Sequence, residues 1–379
     1  MPDPFKFLPK HETNPEHSPL RPHVPTPHPD EFIDHPSHAK PGIWAFPDKL
    51  HVCTAIINPQ RFRSRYELYR GFERRVDTSS AILHTVEVAF GGRHFEVTEP
   101  ANPHHLQLRQ HYQEYWAKEA ALNLLIANVT RLYPNAKYFA WWDADIQFSR
   151  PDIAQETIHQ LQHYHIVQCF SMCMDLNIDH EVLGFDDGGE TLPSMIHQHI
   201  EAGLYGSLAA YRAALQKQGC DPYPYGRAGI DRRLHPGHAG YAWAATRYAL
   251  DTLGGLIDWS VCGANDHHMA RAFIGDILGS VHKDAPAPFK ESLRIWGERA
   301  EILKPKIGYV PGLVTHFWHG PKTGRRYLDR WQILNNNNFN PALDLKRDAQ
   351  GLYQLTGRNK KLVADLMAYF RQRNEDASS

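Results

Sequence analysis

Short apolar runs alternate along most of the chain with longer segments of mixed polarity. Continuous apolar runs are typical of strands buried in a parallel sheet, and apolar residues every three or four positions are typical of helices. The runs predict strands over 50–57, 81–90, 138–142, 166–172 and 312–318. The mixed segments predict helices over 63–76, 112–133, 152–162, 194–218 and 361–373, and the ranges 241–245, 246–253 and 267–274 continue the alternation.

This alternation predicts an α/β fold, in which a mainly parallel sheet carries helices on both faces. We expect the main domain to span residues 46–345, followed by a C-terminal helical extension over 346–379. Residues 1–45 differ, because ten Pro and six His fall within the first forty positions. Proline fixes φ and interrupts helices, so this segment is predicted to be an extended Pro/His-rich N-terminal arm.

Composition excludes several classes of protein. The chain has 379 residues, with 41 Lys and Arg against 42 Asp and Glu, and this balance argues against a protein that coats nucleic acid by bulk charge. Its five cysteines are too few and too scattered for a disulfide scaffold. No run is apolar enough for a membrane span, and the first residues do not read as a secretory signal. We therefore expect a cytoplasmic protein.

An Asp-x-Asp pair provides the strongest candidate chemistry. Asp143 and Asp145 directly follow the apolar run 138–142, which places them at the end of a predicted buried strand. Ligands bind beyond the carboxyl ends of the strands in parallel sheets, and paired carboxylates suit a hard cation such as Mg²⁺ or Mn²⁺. The alternative is a solvated turn or a helix N-cap.

Two other segments combine turns with reactive side chains. Asp266 follows a Gly-containing turn at the start of a predicted helix, where it is either a general base or simply an N-cap. His316 and His319 lie at the end of the last predicted strand, which suits a metal or a phosphate. The alternative for this segment is a basic surface loop, because four basic residues follow: Lys322, Arg325, Arg326 and Arg330.

Taken in order, these motifs resemble a known family. The chain carries Asn-Pro after the first strand, then an Arg-rich helix, WAKEAALN, YFAWWDADIQF, HPGHAGYAWAATR, GGLIDWSVCGANDHHM and THFWHG. Over about 48–345 this order resembles GT-A fold glycosyltransferases of the family-2-like kind found in bacteria and phages. The resemblance implies a Rossmann-like GT-A domain, with a nucleotide-binding half at about 46–150 and an acceptor-binding half at about 151–345.

The resemblance also implies roles for particular residues. It implies a metal-dependent, inverting transfer from a nucleotide-diphosphate-sugar, with a UDP-sugar favoured. Asp266 would be the catalytic base, although the usual Glu-Asp pair reads Asn265-Asp266 here. The acceptor would be a glycan, a small molecule or a hydroxymethylated DNA base. The implied metal ligands for Mn²⁺ or Mg²⁺ are Asp143, Asp145, His316 and His319; the donor-binding residues are Asn58, Arg65, Glu87, Lys118, Asp143, Lys322, Arg325 and Arg326; the acceptor-binding residues are Trp243, Asp266 and His267.

Two other functions stay open from the sequence. A metal-dependent hydrolase is suggested by the many histidines and by the His-x-x-His spacings at His235/His238 and His316/His319, although no HExxH motif is present. A non-catalytic protein that binds nucleotide-sugars or glycans would carry similar motifs. Trp243 is also ambiguous, because it would either stack on a sugar or fill the core.

Overall fold

The computed structural model describes residues 48–78, 80–111, 114–181, 192–193, 238–273, 275–303, 307–321, 325–326, 330–373 and 375–376. The predicted N-terminal arm, the predicted helix 194–218, Lys322 and His235 lie outside these ranges. Over the described residues the predicted α/β class is confirmed, with a mainly parallel central sheet flanked by helices.

Strands and helices alternate through the described residues. The strands are β1 (Leu50–Ile57), β2 (Ala81–Phe90), β3 (His105–Gln110), β4 (Tyr138–Trp142), β5 (Ile146–Phe148), β6 (Ile166–Gln168), β7 (Met172–Asp175), β8 (Leu192–Pro193), β9 (Ala242–Thr246), β10 (Ile307–Tyr309), β11 (Leu313–His316), β12 (Leu345–Arg347) and β13 (Tyr353–Leu355). The helices are α1 (Arg63–Arg75), α2 (Lys118–Leu132), α3 (Ile153–Leu161), α4 (Arg247–Leu253), α5 (Asn265–Phe273), α6 (Ala287–Glu301), α7 (Trp331–Asn336), α8 (Pro341–Asp344) and α9 (Lys360–Arg371), with a 3₁₀ turn at Ile277–Ser280.

The central sheet has the strand order β10-β6-β9-β4-β1-β2-β3. Its pairs are parallel except where β9 runs antiparallel to both β4 and β6. Successive side chains of a strand point to opposite faces. Accordingly Cys53 of β1 packs into one core with α2, α5 and α6, whereas Val52 packs into a second core with α1 and α3. This two-sided burial explains why β1 is apolar throughout.

A smaller second sheet has the order β5-β11-β7-β8 and begins where the central sheet ends. Only Asp143, Ala144 and Asp145 separate β4 of the central sheet from β5 of the second. In the second sheet, His316 of β11 is the register partner of Ile146 on one side and of Asp175 on the other. The pairing of three short strands therefore gathers Asp145, Asp175 and His316 at one edge.

Several predicted bounds differ from the structure for local reasons. The helix predicted over 112–133 begins only at Lys118, because the backbone N–H of Trp116 donates to the Val261 carbonyl at 2.9 Å instead of joining a helix. The strand predicted over 166–172 is two strands in different sheets, β6 and β7. The chain changes sheets between them, where the N–H groups of Ser171 and Met172 donate to the Gly312 carbonyl.

The C-terminal segment contributes to the main core. It begins with the β12–β13 hairpin, and Leu362, Leu366 and Tyr369 of α9 are buried in the same cluster as α2. The hydroxyl of Tyr115 also donates to the Tyr353 carbonyl of the hairpin. Within the described residues, every helix is too short or too polar to cross a membrane.

Candidate active site

A carboxylate and two imidazoles converge at the boundary between the two sheets. Asp145 precedes β5, His316 ends β11, and His319 follows three residues later. The Nε2 atom of His319 lies 3.0 Å from Asp145 Oδ2, and that of His316 lies 3.8 Å from the same oxygen. The two Nε2 atoms are 3.1 Å apart. Both histidines are buried, and the Asp145 side chain is 23% exposed.

The Nδ1 atom of each of these imidazoles is in contact with a carboxylate. His316 Nδ1 lies 2.7 Å from Asp175 Oδ1, which also accepts a hydrogen bond from the Tyr241 hydroxyl at 2.7 Å. His319 Nδ1 lies 3.3 Å from Glu375 Oε2. A carboxylate on Nδ1 fixes the tautomer and ring orientation of a metal-binding histidine, so that Nε2 faces the metal. The arrangement is therefore that of two preoriented metal ligands.

The three converging groups fit a divalent cation. Their ligand atoms all lie within 4.8 Å of one another. Asp145 Oδ1 is buried and has no hydrogen-bond partner among the described residues, which is a costly state for a carboxylate oxygen. A cation would satisfy that oxygen. One carboxylate and two imidazoles form a donor set that transition metals accept, whereas Mg²⁺ prefers oxygen ligands alone.

The electrostatics of this cluster favour an ionised Asp145. Burial alone would raise the pKa of Asp145, but the adjacent His316 and His319 hold it well below its ordinary value. Burial would lower the pKa of His316, but Asp145 and Asp175 outweigh it and raise the pKa to about 9. Burial and the Arg325 guanidinium lower the pKa of His319, so the two rings differ in their readiness to release a proton.

Asp143 points to a different set of groups. Its carboxylate forms an ion pair with the ammonium of Lys118, the first residue of α2. Burial would lower the pKa of Lys118, but the carboxylates of Asp143, Glu119 and Asp266 together raise it above its ordinary value. Burial also raises the pKa of Asp143. Lys118 therefore pairs directly with Asp143 at the end of β4 and lies within electrostatic reach of Asp266 at the start of α5.

The start of α5 brings Asp266 to this group. Asp266 is half-buried, and its Oδ1 accepts a hydrogen bond from the His267 N–H at 2.8 Å. A methyl group built on Gly240 would lie 2.7 Å from Asp266 Oδ2, so the carboxylate rests against a backbone that only glycine leaves open. This contact gives the glycine of the HAGYAW segment a direct reason for its presence.

Glu119 anchors the residue before Asp266. Its Oε2 accepts hydrogen bonds from Asn265 Nδ2 at 2.6 Å and from Trp116 Nε1 at 2.9 Å. Glu119 is 4% exposed, and burial raises its pKa to about 7, against the opposing effects of Lys118 and Asn265. A buried acid thus lies beside Asn265, although the sequence motif itself reads Asn-Asp.

A cleft reaches both groups through Lys118, which pairs with Asp143, and Glu375, which contacts His319. Its floor is the end of β1, and the start of α2 and the C-terminal segment form its sides. Aromatic rings and basic groups are interspersed along it, a combination suited to a ligand with a flat ring and phosphates. The lining includes Asn58, Phe62, Arg65, Tyr115, Trp116, Lys118, Phe370, Arg373 and Glu375.

The other predicted site residues are distributed as follows. The buried carboxylate of Glu87 accepts four hydrogen bonds from Glu96, Val97 and Thr98, so it holds the loop after β2. Glu87 also lines a second, smaller cleft with Asn58. The Asn58 amide bridges the backbone of Phe62 with bonds of 2.8 and 2.9 Å.

Four further predicted site residues differ in burial and in their neighbours. Trp243 is 2% exposed, packs against Phe273 and donates its indole N–H to the Ala239 carbonyl, so the core-filling alternative holds for this residue. His267 is 6% exposed. The exposed Arg326 donates a hydrogen bond from Nη1 to Gln372 Oε1. Arg325 is buried instead, and its Nη2 lies 3.2 Å from His319 Nε2.

The sequence reasoning missed Asp175, Glu375 and Glu119. Asp175 and Glu375 stand behind the two imidazoles, and their positions depend on strand register and on the docking of the chain end. Glu119 lies beside Lys118 in a segment already singled out, and the Asn in place of an acid at 265 was the signal that could have found it.

No protein-family model and no curated protein matches this chain. Among solved structures, the chain is similar to a candidate nucleotide-diphospho-sugar transferase from Desulfovibrio desulfuricans G20. The two sequences are 11% identical, and the match covers 77% of this chain and 96% of that chain with a TM-score of 0.28.

Proposed function

We propose that the protein is a metal-dependent GT-A-type glycosyltransferase that uses a nucleotide-diphosphate-sugar donor. The observation that carries the proposal is the convergence of Asp145, His316 and His319 next to an aromatic and basic cleft at the carboxyl end of β1. The two imidazoles favour Mn²⁺ over Mg²⁺. When bound, the cation would neutralise charge on the donor's diphosphate.

Different residues of the cleft would bind the nucleobase and the phosphates of the donor. The flat rings of Trp116 and Tyr115 line the part of the cleft suited to a nucleobase, and a UDP-sugar is the donor we favour. Arg65 and Lys118 supply positive charge for phosphates. Arg325 reinforces the charge beside His319, and the predicted roles of Lys322 and Arg326 remain part of the proposal.

Asp266 is the proposed general base. The acceptor hydroxyl attacks the anomeric carbon, a new C–O bond forms, and the bond from that carbon to the phosphate oxygen breaks. The nucleoside diphosphate leaves with the electron pair, and Asp266 takes the acceptor proton. A single displacement of this kind inverts the anomeric configuration. Lys118 and Glu119 fix the surroundings of Asp266, and His267 stays assigned to the acceptor side.

Binding calorimetry tests this function. Wild-type protein is titrated with UDP, other nucleoside diphosphates and their sugars, with and without Mn²⁺. We expect one nucleotide to bind in a Mn²⁺-dependent manner, and Asp145→Asn to abolish that dependence because it removes the charged ligand. Asp251→Asn is the matched control, since its carboxylate is 61% exposed on α4.

The outcome also separates the rival functions. Zinc binding with hydrolytic activity and no affinity for nucleotides would favour the metal-dependent hydrolase. Nucleotide-sugar binding without turnover across a panel of acceptors would favour the non-catalytic binding protein. The acceptor panel should contain glycans, small alcohols and DNA carrying hydroxymethylated bases, since these are the proposed acceptors.

A further inference from the structure

The end of the chain enters the candidate active site. We call Arg373, Glu375 and Asp376 the C-terminal tail. Glu375 is 4% exposed, and its Oε1 lies 2.9 Å from Arg65 Nη2 and 2.6 Å from Arg373 Nη2. Its Oε2 pairs with Arg65 Nε and lies 3.3 Å from His319 Nδ1. The Glu375 carboxylate is therefore buried and in contact with a candidate metal ligand.

The next residue of the tail caps a distant helix. α1 begins after Phe62, which has no side-chain group to satisfy the first N–H donors of the helix. Asp376 supplies the missing acceptors: its carboxylate accepts from Arg63 N at 2.8 Å, Ser64 N at 3.0 Å and Ser64 Oγ at 2.7 Å. This cap fixes the tail one residue beyond Glu375, so the position of Glu375 is set from both sides.

The tail also forms one wall of the cleft. Arg373 and Glu375 line it together with Lys118, and the Arg373 guanidinium lies 5.8 Å from the centre of the Trp116 ring. Glu375 holds Arg65 and Arg373 by ion pairs, so it fixes the orientation of two guanidinium groups that line the cleft.

We propose that Glu375 is a positioning residue for metal binding, so that the active site is incomplete without the C-terminal tail. By accepting the Nδ1 proton of His319, Glu375 makes Nε2 the nitrogen that would bind a cation; this atom lies 3.0 Å from Asp145 Oδ2 and 3.2 Å from Arg325 Nη2. Its ion pairs with Arg65 and Arg373 at the same time preorganise the wall of the cleft. The inference rests on the proposed function, because it assigns the tail to the same metal site.

The test measures binding of Mn²⁺ alone to the 379-residue chain, by electron paramagnetic resonance of the free ion and by calorimetry. Glu375→Gln keeps the side chain's shape but cannot hold the His319 proton as a carboxylate does. Loss of such a partner typically weakens metal affinity about 10- to 100-fold, and we expect an increase of that size in the Kd for Mn²⁺. Glu298→Gln is the matched control for the same chemical change, because the Glu298 side chain is 62% exposed on α6 and pairs with the exposed Arg294. Its Kd should equal that of the wild type.

Asp376→Ala provides a second variant that leaves Glu375 and every candidate ligand intact. It removes the cap that fixes the tail, so we expect a several-fold weaker Mn²⁺ affinity with the unfolding transition still cooperative. This variant decides the question if Glu375→Gln fails to fold.

Each outcome bears on the proposal. Wild-type affinity in Glu375→Gln, or equal losses in Glu375→Gln and Glu298→Gln, would overturn the positioning role while leaving the glycosyltransferase proposal intact. If the wild-type chain binds Mn²⁺ but no nucleotide, the proposed glycosyltransferase function is wrong. The Mn²⁺ affinities of the variants would still test the positioning role of Glu375. A wild-type chain that binds no Mn²⁺ would overturn the inference itself.

Discussion

Two buried histidines make the stability of the fold depend on pH. His51 of β1 and His84 of β2 are 5% and 1% exposed, and their rings are joined by a 3.0 Å contact between Nδ1 and Nε2. Burial, with repulsion from His104, lowers the pKa of His51 to about 4; burial, with repulsion from His51 and His104, lowers that of His84 to about 3. Tyr133 packs on both rings and completes the surroundings.

The sign and size of the effect follow from these values. The pKa values of both histidines in the folded protein lie below the ordinary 6.5. As the pH falls below about 6.5, the unfolded chain therefore binds more protons than the folded chain, and the free energy of unfolding decreases. At pH 5 the loss relative to pH 7.5 is about 2 kcal/mol for each histidine. The size of this loss depends little on the exact pKa values in the folded protein, since both pKa values lie below 5. The pair together costs about 4 kcal/mol, a large part of the roughly 5–15 kcal/mol that stabilises a typical domain.

Urea unfolding at pH 7.5, 6.0 and 5.0 measures this loss. His84→Gln removes one titrating ring and keeps an amide to bond with His51, so its loss of stability between pH 7.5 and 5.0 should be smaller than that of the wild type by about 2 kcal/mol. His94→Gln, at an exposed position, is the control and should behave as the wild type. If the wild type and His84→Gln lose the same stability, His84 does not remain neutral in the fold and the reasoning fails.

Three further substitutions test the proposed reaction. Asp266→Asn should slow transfer by about 10²–10⁴ while donor Kd and unfolding midpoint stay unchanged, as Asn keeps the Oδ1 that accepts from the His267 N–H; near-full turnover in initial-rate assays would remove Asp266 as the base. Gly240→Ala should slow transfer without weakening donor binding, because its methyl group would lie 2.7 Å from Asp266 Oδ2; Gly92→Ala, with nothing within 4 Å, is the control, and equal rates in the two would refute the contact. Trp243→Phe should lower the free energy of unfolding by about 1–3 kcal/mol through the lost bond to Ala239 and leave the acceptor KM unaltered, whereas a raised KM with full stability would return Trp243 to the acceptor site.

The sequence predicted the central strands well, because their apolar pattern is continuous. β1, β2 and β4 begin and end where their apolar runs do, since strands buried on both faces tolerate few polar residues. That accuracy placed Asp143 and Asp145 at the end of a strand. Three of the four candidate metal ligands, Asp145 and the two histidines at 316 and 319, lie together in the structure.

The residues that the sequence did not reveal depend on long-range packing. Asp175 ends a four-residue strand and gains its position only from the register of β7 with β11. Glu375 has no local pattern at all, and its burial depends on Arg65 and on the cap that Asp376 gives to α1. Such contacts join positions more than 140 or 300 residues apart, and no local periodicity encodes them.

The Asp143-Ala144-Asp145 segment is best understood as the crossing between the two sheets. The N–H of Asp143 donates to the Tyr241 carbonyl at the edge of the central sheet, whereas the Asp145 carbonyl accepts from the N–H of Phe317 in the continuation of the second. The two carboxylates consequently face different groups: Asp143 faces Lys118, and Asp145 faces the imidazoles. Asp145→Asn should therefore abolish Mn²⁺ binding, and Asp143→Asn should spare most of it but weaken nucleotide binding by releasing Lys118. Equal losses of Mn²⁺ affinity in calorimetry of the two variants would show instead that both carboxylates bind the metal.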